Sequence, residues 1–120
     1  ENAEYTDQTV EVPMTKFVPA KEYFDEPGDH ADELETSVMM HYHPELVNLD
    51  EAGDGNYKKF ASQMLNEKVA WIPRNWQNVS QDTGIGNPKK ASAGKGKKYA
   101  EAVVAKYALL FEELVHKELY

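Results

Sequence analysis

The residue pattern over 90–118 constrains this chain more than any other feature. Tyr99, Ala102, Val103, Lys106, Leu110 and Leu114 trace one face of a helix, the Lys106 stem covering apolar surface. That spacing predicts a long closing helix from about Lys90 to Glu118. A second pattern, Tyr57, Phe60, Ala61, Met64 and Leu65, repeats at i, i+3, i+4, i+7 and i+8, and Asp54 or Asn56 is its candidate cap. A third helix is expected from about Ala31 to Tyr42. Asp29 is its candidate cap, Asp32 and Glu33 fall in its positively polarised first turn, and Pro44 stops it. Leu34, Val38, Met39 and Tyr42 mark its expected buried stripe. Strand signals are few and short. Thr9–Val12 alternates apolar and polar before Pro13, Phe17-Val18 is a weaker candidate before Pro19, and Val69–Ile72 precedes Pro73. Residues 1–29 otherwise read as extended and irregular, with a turn at Asp25–Asp29, and 74–88 as a long loop. The chain supplies helices more than sheet.

A length of 120 residues leaves room for a single segment or domain. Leu, Ile, Val and Phe number only 24 of these, at the lower edge for a chain that must bury its own core. A neighbouring surface to cover the apolar stripes is therefore expected. Charge is divided unevenly: residues 1–54 hold 15 acids and 2 bases, residues 55–120 hold 6 acids and 11 bases. The acidic half repels phosphates and argues against nucleic acid. The lysines of 89–98 lack interleaved aromatics and read as a solvated helix face. Without cysteine, disulfides, thiolate zinc sites and cysteine nucleophiles are excluded. No apolar run is long enough to span a membrane and no signal peptide is visible, so a soluble, cytoplasmic protein is expected. The start at Glu1 rather than Met sets the expectation that an upstream part was removed or lies elsewhere.

In a cysteine-free chain, imidazole is the side chain to weigh first as metal ligand or proton shuttle. His41 and His43 are two apart and point to different sides of a helix, whereas a chelating helical pair needs i, i+4 spacing. His116 suits the negative end of the last helix. These three read as structural or solvated. His30 stands where a turn enters a helix, followed by Asp32, Glu33 and Glu35. One imidazole and several carboxylates in six residues make a possible metal half-site, since hard divalent ions accept both donor types. An acidic cluster satisfying the helix dipole is the plainer alternative. Glu35 borders the expected apolar stripe, where a carboxylate needs a cation. Gly84-Ile85-Gly86 lacks the strand, helix and Gly-Lys-Ser/Thr of a phosphate cradle and reads as a tight turn. Trp71 and Trp76 are candidates for core, or for lining a pocket.

His30-Ala31-Asp32-Glu33-Leu34-Glu35-Thr36-Ser37 resembles the creatininase-family signature His-Ala-Gly-x-x-Glu-Thr-Ser. Val38-Met39-Met40 and then Pro44-Glu45-Leu46-Val47 are similar to the apolar helix and Pro-(Asp/Glu)-Leu-Val ending that follow it. Thr83-Gly84-Ile85-Gly86-Asn87-Pro88, then Ala91-Ser92 and Gly96, resembles the Thr-Gly-x-x-Gly-(Asp/Asn)-Pro loop and the start of the last helix. The likeness runs from Pro27 to about Val115, while residues 1–26 match no motif. It implies an α/β fold, with this chain the helix-rich C-terminal part of a three-layer α/β/α domain. It implies a metal-dependent amidohydrolase acting on a C–N bond of a cyclic or small amide, creatinine being the namesake substrate. Two divalent ions (zinc, manganese or iron) are implied per complete site; they polarise the carbonyl and supply hydroxide near neutral pH. Glu35 is implied as a metal ligand, and His30 as the donor of a proton to the leaving nitrogen. Asp32 stands where the signature has Gly, and no Trp shortly precedes His30 as one does in creatininase itself. The family's Glu-x-His pair, bridging Asp and Asn-Gly-His loop belong to its N-terminal half, which is expected as a companion in the same or another chain. A homo-oligomer is implied too, hexamers being common in the family. A non-catalytic creatininase-like subunit or binding scaffold, and a free-standing helical binding domain, are the competing readings.

Overall fold

Two helices meet at a glycine, and the rest of the chain is arranged around that crossing. The computed structural model describes residues 10, 12 and 14–118. In chain order the helices are α1 (Met14–Phe17), α2 (Glu33–Tyr42), α3 (Gln63–Asn66), α4 (Trp76–Val79) and α5 (Ala93–His116). Single 3-10 turns lie at Ala20–Glu22, Pro44–Leu46, Leu49–Glu51 and Pro88–Lys90. A Cβ placed on Gly96 of α5 would fall 1.9 Å from the Ser37 carbonyl oxygen of α2. Only a residue without a side chain permits so close a backbone approach. Ser37 secures the contact, its Oγ accepting the Ser92 N–H at 3.1 Å.

The helix ends follow local chemistry. Asp32, not Asp29, caps α2: its Oδ1 accepts the Glu35 N–H at 2.9 Å. The helix starts two residues later than the pattern predicts because Ala31 is left-handed, with φ at 49°. Tyr42 ends α2 ahead of Pro44, as expected. Ser92 caps α5 by accepting the Lys95 N–H at 3.2 Å. Its start at Ala93 instead of Lys90 reflects the 3-10 turn that Asn87 organises through the Lys89 N–H at 3.0 Å.

The core is small and lies at this crossing. Val18, Phe24, Leu34, Tyr99 and Val103 are buried together, each contributing roughly 1.5–3 kcal/mol when fully removed from water. Tyr99 is completely buried and its hydroxyl donates to the Val18 carbonyl at 3.0 Å, so burial holds its pKa above the ordinary tyrosine value. Tyr23 and Phe24 meet its ring edge-on at 5.4 and 5.3 Å. The stretch 14–24 is thus not extended throughout, and it supplies Val18 and Phe24 to the core. Phe17, a strand candidate by pattern, ends α1 and packs edge-on against Tyr107 at 5.1 Å.

Elsewhere the pattern misleads. Of the expected 57–65 helix only Gln63–Asn66 forms. The backbone of residues 58–60 bonds elsewhere instead: the Lys58 N–H donates to the Val79 carbonyl, and Phe60 exchanges two hydrogen bonds with the Asn66 side chain. Val69–Ile72 forms no strand, and Trp71 is 81% exposed. Thr9–Val12 lies outside the described residues apart from Val10 and Val12, which belong to no element. Among the described residues the only β pairing is an isolated antiparallel bridge between His30 and Ile85. On α5 the predicted face is buried at Tyr99 and Val103, but Lys106 and Leu114 are exposed. The radius of gyration, 18.1 Å, exceeds the roughly 14 Å of a compact domain this long. Among the described residues no helix is long and apolar enough to cross a membrane.

Gly96→Ala should lower the unfolding free energy by about 1–3 kcal/mol, because the new methyl group meets backbone. Gly94→Ala, with open space at its Cβ, is the control and should leave stability unchanged or slightly raised. Denaturant melts of both variants check this, and equal effects would contradict the crossing described.

Candidate active site

His30 is held by the loop that the Thr-Gly motif forms. The Ile85 N–H donates to the His30 carbonyl at 2.8 Å, and the Ile85 carbonyl accepts the Asp29 N–H at 2.8 Å and the His30 N–H at 3.3 Å. This approach depends on Gly86, whose φ is 110° and whose added Cβ would lie 2.5 Å from the Gly28 Cα. Within the loop Asp82 accepts the Gly84 N–H at 3.0 Å and the Ser80 hydroxyl at 3.1 Å. Those bonds, the Gly84 amide first, hold its carboxyl below the ordinary aspartate range. Gly84-Ile85-Gly86, expected as a tight turn, instead follows the bend at 81–83 and runs alongside His30, bridging it through Ile85.

The His30 ring is half-buried. Its Nδ1 lies 2.9 Å from the Thr83 carbonyl oxygen, and Thr83 is left-handed with φ at 66°. The Trp76 ring packs on the imidazole with centroids 4.8 Å apart. Arg74 lies over the other ring system at 5.2 Å from its centroid and pairs with Asp29. Trp76 therefore belongs to the histidine's surroundings, whereas Trp71 is open to solvent.

Glu35 has a different environment. Its side chain is exposed, and Oε2 accepts the Ala31 N–H at 2.6 Å. It lines an open groove of about 340 Å³ with Met39, Leu46, Val47 and Leu49. Burial therefore supplies no demand for a cation at Glu35, contrary to the expectation from the stripe. The buried face of α2 is Glu33, Leu34 and Ser37, which turns Glu35, Met39 and Tyr42 outward. No hydrogen bond joins His30 to Glu35 among the described residues.

The carboxylate that is buried is Glu33, with no exposed surface. Its Oε2 accepts the N–H groups of Asp25 at 2.9 Å and Glu26 at 2.7 Å, and Oε1 receives the Lys95 ammonium. Lys95 also donates to Asp25 and to the Lys90 carbonyl, each at 3.1 Å. Its bonds to Glu33 and then Asp25 hold its pKa above the ordinary lysine value, and it holds the Asp25 carboxyl below its own. The spacing Glu33, Ser37 was the available signal, but a search for apolar stripes passes over it. Asp32 fills the signature's glycine position: its carboxyl caps α2, and its Cβ packs against Gly28 and Gly86. Burial pushes its carboxyl up. The remaining histidines stand apart. His43 meets Glu45 at 3.2 Å on the surface, His41 packs on Tyr42, and His116 is exposed in the last turn of α5.

Among the described residues no three His, Asp or Glu side chains converge as a metal site.

The family profile for creatininase, described as creatinine amidohydrolase, matches residues 3–111. The chain belongs to the creatininase family. It is similar to the crystal structure of a Bacteroides fragilis protein provisionally assigned as a creatinine amidohydrolase, with 56% identity and a TM-score of 0.82. That match covers 91% of this chain and 44% of the other, so this chain spans less than half the length of its structural relative. No curated protein matches it.

Glu33→Ala strands two amides and an ammonium and should cost about 3–5 kcal/mol in denaturant unfolding. Glu33→Gln, which keeps an acceptor for the amides, should cost less. The raised Lys95 pKa gives a stabilising contribution that is complete below about pH 10.4 and fades as pH rises through the higher folded value. The stability gap between wild type and Lys95→Met should therefore narrow above that pH. An unchanged gap, or a silent Glu33→Ala, would contradict the assigned role.

Proposed function

We propose that this chain is part of a metal-dependent amidohydrolase that hydrolyses a C–N bond of a cyclic or small amide. His30 gives a proton to the departing nitrogen, and Glu35 is one ligand of a centre of two divalent ions, zinc, manganese or iron. The other ligands come from the N-terminal half of a three-layer α/β/α fold, in the same or a companion chain. Family membership over residues 3–111 supports the hydrolase class. The observation that carries the role of His30 is its fixed ring, placed by a backbone bridge, a carbonyl and an indole. An idle surface histidine has no need of such restraint. The exposed carboxylate of Glu35 is consistent with a ligand whose partners arrive from another part of the fold. The exposed apolar residues Val104, Leu109, Phe111 and Val115 of α5 are consistent with a covering layer there. A homo-oligomer, with the hexamer as the family's common form, and a cytoplasmic location complete the reading.

Two variants of the protein containing this chain test it, after a panel of small cyclic amides has given a measurable hydrolysis. Glu35→Gln should lower the metal bound per protomer by elemental analysis; an unchanged content removes Glu35 from the ligand set. His30→Asn should keep its metal and lower kcat by roughly 10²–10⁴-fold, the range for general acid catalysis. Full activity in that variant would remove His30 from the reaction, whereas no hydrolysis and no bound metal in the wild type would favour a non-catalytic creatininase-like subunit or scaffold.

A further inference from the structure

We infer that the loop from Arg74 to Ile85 is a clamp that fixes the tautomer of His30 and reserves Nε2 for proton exchange. Nδ1 of His30 faces an acceptor that cannot donate. The Thr83 oxygen, 2.9 Å from Nδ1, is a carbonyl, so the hydrogen between them resides on Nδ1. A neutral His30 then carries its lone pair on Nε2, and a protonated His30 has Nε2–H as the hydrogen free to leave. Binding at one ring nitrogen thus decides the chemistry of the other.

The loop is built to keep this bond. Thr83 occupies the left-handed region, which a β-branched residue enters only under constraint. Asp82 supplies that constraint from within the loop by taking the Gly84 N–H and the Ser80 hydroxyl. Ile85 supplies it from the far side by pairing with the His30 backbone itself. The other end of the loop is tied just as closely. Arg74 pairs with Asp29, the residue before His30, while packing on Trp76, which in turn lies against the imidazole. Ring rotation that would exchange the two nitrogens requires breaking the Thr83 bond and displacing the indole. Thr83 and Trp76 are therefore positioning residues, acting on substrate only through His30.

The functional meaning of the clamp rests on the reading of His30 as proton donor; its geometry does not. Nitrogen NMR of the protein containing this chain, labelled at histidine and assigned with His30→Asn, separates the two. In neutral His30 the account expects Nδ1 to resonate as a protonated, pyrrole-type nitrogen and Nε2 as an unprotonated, pyridine-type one. Trp76→Leu should admit the second tautomer and lower kcat by about 10–100-fold with metal retained, as loss of an orienting partner does. Trp76→Phe should restore both. A predominant Nε2–H tautomer in the wild type overturns the inference. So does a Trp76→Leu protein that loses thermal stability while keeping one tautomer and full kcat. Should Trp76→Leu not fold, the wild-type and Trp76→Phe spectra decide. A wild type with the expected tautomer, joined to a fully active His30→Asn, leaves the clamp standing and removes only the catalytic reading.

Discussion

The Glu33 carboxylate is fully buried, and an isolated charge there would be expensive. Two amides of the 25–26 segment and the Lys95 ammonium of α5 offset that cost. The same group therefore joins three parts of the chain that are far apart in sequence. It fixes which face of α2 points inward, placing Ser37 beside Gly96 and Leu34 in the core. It also fixes which residues point outward, Glu35 among them. A buried pair of this kind adds little net stability compared with well-packed apolar residues. Its contribution here is register: an α2 turned by one position would bury Glu35 without a partner.

Much of this was legible in the sequence, in specific places. The stop of α2 at Tyr42 before Pro44 and the long α5 follow from proline and helical spacing. The signature around His30 and the Thr83–Pro88 loop pointed to the family, and the structure brings these two stretches into contact. The polar part of the buried face of α2, Glu33 and Ser37, is not legible, because its partners lie 62 and 55 residues away at Lys95 and Ser92. Periodicity reports amphipathic faces: Leu34 and Val38 do pack in or against the core, but Met39 and Tyr42 are exposed. Nor were the 57–65 and 69–72 segments legible. Their spacing is helical or strand-like, yet a stripe forms an element only where a surface or a paired strand receives it.

The site follows the same logic. Trp76 could be read from sequence as core or as pocket lining, and it is a wall of the histidine's niche. Arg74, a lone cation in a polar loop, carries no signal, and Thr83 enters only as a motif position because it acts through its carbonyl. Glu35 was singled out by family likeness and by an argument from burial; only the likeness remains. The chain thus supplies a positioned imidazole and, from α2, an outward carboxylate. A catalytic metal takes about three protein ligands. In the present account the remainder, and the cover for the exposed apolar side of α5, arrive together.

That coupling is what the account most depends on, and residues 1–120 expressed alone expose it most directly. Calorimetry combined with elemental analysis should show a broad, weakly cooperative transition and no bound metal. Adding the N-terminal half should then sharpen the transition and load the metal in one step, since ligation and burial are coupled. A sharp transition with stoichiometric metal in residues 1–120 alone would contradict the account.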